Sequence, residues 1–153
     1  MPRGQGGAGW QMLPLRLIVG FGFASHGYAK LSRGPDAFAT ILTALHVPQP
    51  HVMAWATSLL ELLGGVAVMA GAFVALLSVP LVVVMLTAIV SVHLQYGFSS
   101  VRLTAVTPAG AEFGPVGYEL SLLYIVALAT LALSGPAPWS VDRWLASRRA
   151  ARP

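Results

Sequence analysis

A single carboxylate lies inside one of the most apolar stretches of the chain. Glu61 is the third residue of LLELLGGVAVMAG, which runs from Leu59 to Gly71. If this stretch crosses a membrane, the short side chain cannot reach the headgroups, and its burial is costly unless it finds a partner. Glu61 therefore marks either a polar staple between helices or part of a functional site.

Four further ionisable residues occur in neighbouring apolar stretches. His26 and Lys30 share a helical face, His93 lies near the end of a third stretch, and Glu119 opens a fourth. At a rise of about 1.5 Å per residue, four antiparallel spans place these groups and Glu61 in the same half of a membrane. We predict a site in which Glu61 and His26 handle a proton, while His93, Glu119 and Lys30 contact a cofactor.

The two glycines that follow Glu61, Gly64 and Gly65, leave space for another helix or for a flat ligand. Because burial disfavours the charged carboxylate, Glu61 could be protonated at neutral pH and relay protons with a histidine. This combination suits a quinone, whose carbonyl groups need hydrogen-bond donors and whose reduction takes up protons. Phe23 and Leu60 would then line the path of its tail.

The composition is that of a membrane protein. Of the 153 residues, 56% are hydrophobic and 9% are charged, whereas roughly 25% are charged in an ordinary soluble domain. The chain has no cysteine, and its four histidines lack metal-ligand spacing, so that neither a disulfide nor a metal site is expected. The net charge of +4 indicates contacts of arginines with membrane lipids rather than with nucleic acid.

Four stretches are long enough to cross the hydrocarbon core of a bilayer. They predict an all-α fold: an integral membrane four-helix bundle that forms one domain over residues 1–153, with residues 135–153 as a basic cytoplasmic tail. The predicted spans are residues 12–31, 52–73, 74–96 and 116–134.

The two longer connections also carry local signals. Between the first two spans, apolar residues at i, i+3, i+4 and i+7 predict a short amphipathic interfacial helix, with Phe38 as the first of them. The Gly-, Ser-, Thr- and Pro-rich connection before the last span could hold a short hairpin. Arginines concentrate near the termini, which predicts a multi-pass protein with both termini in the cytoplasm.

The segments LRLIVGFGFASHGYAKL, ATSLLELLGGVAVMAGAF, GYELSLLYIVALA and WSVDRWL together resemble the DoxX family of small four-span bacterial membrane proteins. The resemblance covers roughly Leu13 to Leu145 and preserves order and spacing. Where the family often has Gly-Arg-Tyr before its closing Ser-x-Asp, this chain has APW. The matching positions are Arg16, Gly20, His26, Gly27, Lys30, Glu61, Gly64, Gly65, Glu119, Ser140 and Asp142.

The resemblance implies a quinone-linked role in a bacterial cytoplasmic (inner) membrane. The namesake is similar to a subunit of a thiosulfate:quinone oxidoreductase, and mycobacterial relatives are linked to a membrane oxidoreductase complex. We therefore expect quinone as the cofactor. Electrons would come from a redox partner subunit, because the chain has neither cysteine nor a flavin motif. Whether the chain is itself an enzyme stays open at this point.

Two alternatives remain. In the first, the chain is a non-catalytic membrane scaffold or assembly protein whose buried charges only hold the helices together. In the second, it is a conduit for protons or a small solute, which would require a homo-oligomer because the chain is short and lacks inverted repeats.

Overall fold

The computed structural model describes residues 9–150. This part of the chain is mostly helical and contains six α-helices and one two-stranded antiparallel hairpin. In chain order the elements are α1 (Met12–Ser32), α2 (Pro35–Ala44), α3 (Pro50–Ala70), α4 (Val74–Ala88), β1 (Leu103–Thr107), β2 (Gly110–Phe113), α5 (Glu119–Leu133) and α6 (Val141–Ala150).

Helices α1 and α3 touch through their backbones. A Cβ atom added at Gly65 of α3 would come within 2.5 Å of the carbonyl oxygen of Gly20 in α1. One at Gly27 would come within 2.7 Å of the carbonyl oxygen of Ser58. Small residues at such points allow two membrane helices to approach more closely than side chains would permit.

The connection between α3 and α4 is a short turn. Gly71, with a left-handed φ of 67°, ends α3, and Phe73, with a left-handed φ of 52°, directly precedes α4. The second predicted span, 52–73, is therefore displaced: α3 begins at Pro50 and ends at Ala70.

Helix α4 continues beyond its regular part without a break. Residues Ile89–His93 form a π-helical turn and Leu94–Tyr96 a 3₁₀ turn, so that the helical segment extends over Val74–Tyr96. The short hairpin expected after this segment is present as β1 and β2, with Thr107 opposite Gly110 at its tip.

The basic tail expected at residues 135–153 contains a helix, α6, that is bonded to the body of the protein. The Asp142 carboxylate accepts hydrogen bonds from the backbone N–H groups of Phe73 (2.7 Å) and Val74 (3.1 Å) and so caps the start of α4. Ser140 in turn accepts a bond from the Arg143 N–H at 3.2 Å, which caps α6 itself.

The buried core lies where α1, α3, α4 and α5 meet. Its fully or nearly buried members are Val19, Phe23, Val68, Leu81, Leu128 and Leu131. Large apolar side chains also cover the outside, including Leu76 at 70% exposure and Leu133 at 88%. An exposed apolar surface of this extent fits lipid rather than water.

Within residues 9–150, two helices are long and apolar enough to cross a membrane, Pro50–Ala70 and Val74–Tyr96. Helix α5 is apolar but shorter, with 15 residues. Helix α1 has 21 residues, and its charged residues Arg16 and Lys30 lower its apolar character.

Candidate functional site

The carboxylate of Glu61 forms an ion pair with Lys30. The ammonium nitrogen Nζ of Lys30 lies 2.7 Å from Oε1 and 2.6 Å from Oε2 of Glu61. Glu61 is only 2% exposed, whereas the Lys30 side chain is 24% exposed. The bonds place a compensated pair of charges between α1 and α3. A buried carboxylate of this kind requires such compensation.

The close approach of α1 and α3 explains why these two side chains meet. Gly27 contacts the backbone of α3 at Ser58. Lys30 follows Gly27 by three residues and Glu61 follows Ser58 by three, so that both lie one turn beyond the contact. In the described residues, the hydrogen bonds of the Glu61 carboxylate go to Lys30 and not to His26, the partner that the sequence favoured.

A third helix also contacts the ammonium group. The Phe38 ring of α2 has its centroid 4.6 Å from Nζ of Lys30, which is the geometry of a cation–π interaction. An ammonium has three N–H donors, and two of them point to the oxygens of Glu61. The third has no hydrogen-bond partner among the described residues.

A cavity of about 780 Å³ opens beside the ion pair, within the size range of small-molecule sites. Its wall is built from α1 to α4 and from the start of α5, and most of the lining side chains are apolar. The predicted site residues Lys30, Glu61, His26 and His93 all line it. The structure thus brings four of the predicted residues to one cavity.

His93 reaches the cavity from the π-helical turn at the end of α4. Its ring nitrogen Nδ1 lies 3.1 Å from the carbonyl oxygen of Val116, in the segment just before α5. Turns of this type occur frequently at functional sites.

Three predicted residues are not among the described residues that line the cavity: Glu119, Gly64 and Gly65. The Glu119 carboxylate accepts a hydrogen bond from the Ser100 N–H at 2.9 Å. Gly65 lies against the backbone of α1, so that its space holds a helix. Gly64 is buried, and a Cβ atom there would meet Leu81 at 3.7 Å, an ordinary contact distance.

Two polar residues of α5 that the sequence did not single out also line the cavity, Ser121 and Tyr124. The Tyr124 ring packs edge-on against Phe23 of α1, with centroids 5.2 Å apart. A Cβ atom at Gly22 would come within 2.8 Å of Cζ of Tyr124, so that Gly22 makes room for this ring. Gly22 is therefore the feature of the sequence that could have indicated a bulky side chain packed against α1.

The far end of α1 carries a second buried cation. Arg16 is 4% exposed, and its Nη2 donates to the carbonyl oxygen of Trp139 at 2.9 Å. Gly71 leaves the space that this guanidinium occupies. Among the described residues no group of three or more His, Cys, Asp or Glu side chains could hold a metal ion.

An apolar exterior together with an ion pair buried between close-packed helices defines a membrane protein. The family model of DoxX matches residues 11–94, more than half of the chain, and the chain belongs to the DoxX family. The match includes Lys30, Glu61 and His93. No curated protein is significantly similar to the chain. No solved structure is significantly similar to it.

Proposed function

We propose that the chain is the membrane subunit of a quinone-linked oxidoreductase complex and that the quinone headgroup binds in the cavity beside Lys30 and Glu61. The observation that carries this proposal is the cavity itself. It combines about 780 Å³ of mostly apolar space with one ion pair on its wall. A lipid quinone has the same division into a polar ring and an apolar tail.

The ion pair supplies a hydrogen-bond donor for a quinone carbonyl. Glu61 fixes the ammonium group of Lys30 through two bonds and leaves its third N–H for the ligand. A charge-assisted bond of this kind is stronger than one between neutral groups. Electrons would come from a partner subunit, because the chain contains no cysteine, and the residues around the headgroup would orient it and exchange protons.

The same proposal includes an arrangement in the membrane. Helices α1, α3, α4 with its continuation to Tyr96, and α5 form a four-span bundle, and α2 lies at the interface. Both termini face the cytoplasm of a bacterial inner membrane. The arginines of α6, Arg143, Arg148 and Arg149, support this orientation because positive charge concentrates on the cytoplasmic side.

The test is the quinone content of the protein purified in mild detergent. We expect quinone to co-purify with the wild-type chain and to be lost in Glu61→Gln and in Ala88→Phe, which fills the cavity from α4. Ala75→Phe is the matched control, because Ala75 is exposed on the same helix and does not line the cavity. Retention of quinone by Ala88→Phe at the wild-type level would contradict the proposal.

The ion pair also supports a second candidate function, that of a non-catalytic scaffold. Both Glu61 oxygens are already bonded to Lys30, and α1 and α3 are in backbone contact beside them. A scaffold predicts that Glu61→Gln lowers thermal stability, while Ala88→Phe changes neither partner binding nor the activity of the complex. The two variants therefore separate the two functions.

A further inference from the structure

We infer that the cavity selects the reduced form of its ligand, a quinol, over the oxidised quinone, and that His93 is the residue that makes the distinction. The inference rests on the proposed function and adds to it the redox state that binds more tightly. It follows from the direction of one hydrogen bond, the one between His93 and Val116.

The bond fixes which ring nitrogen of His93 carries hydrogen. A backbone carbonyl oxygen only accepts hydrogen bonds, so that Nδ1 at 3.1 Å from the Val116 oxygen must be the donor. In a neutral imidazole the other nitrogen, Nε2, then has a free lone pair and acts as an acceptor. Since His93 lines the cavity, it offers a ligand an acceptor rather than a donor.

The Val116 carbonyl is held in place by the segment that follows it. The Gly117 N–H donates to the Ser99 carbonyl at 3.0 Å, and the Glu119 N–H donates to the Phe98 carbonyl at 2.9 Å. A Cβ atom at Gly117 would come within 2.7 Å of both of these oxygens, so that glycine is needed for the approach.

The Glu119 carboxylate also links the segments before and after the β-hairpin, because it accepts a hydrogen bond from the Ser100 N–H. Glu119 thereby helps to hold the segment whose carbonyl binds His93. The carbonyl that fixes the tautomer of His93 is thus anchored by backbone from the other side of the β-hairpin.

Two polar groups of the cavity have opposite hydrogen-bonding roles, whereas its hydroxyl groups, such as those of Ser121 and Tyr124, can donate or accept and do not discriminate. Lys30 can only donate a hydrogen bond, and neutral His93 can only accept one through Nε2. A quinol hydroxyl can accept from an ammonium or donate to an imidazole nitrogen, so that a quinol with its two hydroxyls can satisfy both groups. A quinone has two carbonyl oxygens, and neither can donate to His93. One hydrogen bond of ordinary strength corresponds to about a tenfold difference in affinity.

The test compares decylubiquinol with decylubiquinone as probes on the purified full chain in detergent, without oxygen and at pH 8. We expect the wild-type protein to bind the quinol about tenfold more tightly. His93→Asn keeps a donor near the Nδ1 position for Val116 but has no acceptor near Nε2, so that the preference should vanish. His93→Gln places an amide oxygen near Nε2 and should retain part of it.

A second measurement does not depend on any quinone. In the ¹⁵N spectrum of histidine-labelled protein, the His93 signal, assigned by its absence in His93→Asn, should show the Nδ1–H form. An Nε2–H form, or equal affinity of the wild type for both probes, would overturn the inference while leaving a quinone site in place. Absence of binding of both probes would overturn the proposed function together with the inference.

Discussion

Lys30 and Glu61 share two hydrogen bonds, yet they are buried to different degrees. The lysine side chain is 24% exposed and the glutamate 2% exposed. A long lysine chain can turn toward a polar surface when its partner is lost, whereas the glutamate cannot. Replacing Lys30 and replacing Glu61 should therefore lower the stability of the protein to different degrees.

We predict that Lys30→Met destabilises the protein more than Glu61→Gln does. Removing the lysine leaves an uncompensated buried carboxylate, which costs roughly 3–5 kcal/mol. Thermal unfolding in detergent micelles measures the difference. The double variant Lys30→Met/Glu61→Leu removes both charges and should return close to wild-type stability. Equal losses in the two single variants would show that the difference in exposure has no energetic effect.

The next prediction concerns the stability of alanine variants in α3, with Gly65 as the tested position and the neighbouring Gly64 as its control. Gly65→Ala places a Cβ atom within 2.5 Å of the Gly20 carbonyl oxygen and must push α1 away from α3. The expected cost is about 1–3 kcal/mol, as for an overpacked core. Gly64→Ala meets Leu81 at 3.7 Å and Leu60 at 3.8 Å, which are ordinary contact distances, and should be tolerated. Melting temperatures of both variants test this; a larger loss for Gly64→Ala would refute the described packing of α3.

The Phe38 ring gives a prediction about the ligand site. Phe38→Leu keeps an apolar side chain on α2 but removes the ring above Lys30. Loss of a cation–π contact corresponds to about 0.5–1 kcal/mol, so that quinone binding should weaken several-fold at most. Titration of the purified variant with decylubiquinone gives the affinity. Phe38→Tyr, which retains the ring, should bind as the wild type does, and a Leu variant of unchanged affinity would exclude the contact as a contributor.

Asp142 joins the last described helix to the start of α4. Asp142→Ala leaves the Phe73 and Val74 N–H groups without their acceptor and should cost about 1–2 kcal/mol. Asp36→Ala serves as a comparison, because Asp36 is 90% exposed and its contact is with His51, itself 73% exposed. Unfolding in detergent should thus distinguish the two aspartates. If both substitutions had the same small effect, the cap would not contribute.

The helices follow from the sequence because long apolar stretches have few alternatives to helix in lipid. The partner of Glu61 does not follow in the same way. His26 and Lys30 lie one turn apart on the same face of α1, and either could meet a residue of α3. Which of the two residues meets Glu61 depends on how α1 and α3 are rotated and shifted along their axes where Gly27 contacts Ser58. This arrangement is set by the packing of the two helices against each other.

Two other features depend on contacts between distant parts of the chain. The π-helical turn at Ile89–His93 leaves no periodic pattern in a helix that is apolar on all sides. The docking of α6 through Asp142 requires the α3–α4 turn, which is far away in the chain. Ser140 directly precedes Val141 and is a good helix cap, so that this residue could have indicated the helix in the tail.

Because of the π-helical turn, the direction of the His93 side chain depends on the number of residues in the segment Ile89–His93. Such a turn holds one residue more than an α-helical turn, and each residue of an α-helix corresponds to a rotation of about 100°. Deleting a single residue within 89–92 would allow a regular α-helical turn of nearly the same rotation, so that the imidazole would stay on nearly the same side of the helix. A single insertion would instead rotate His93 by about 100° away from Val116 and is thus expected to be more harmful than a single deletion at the same positions.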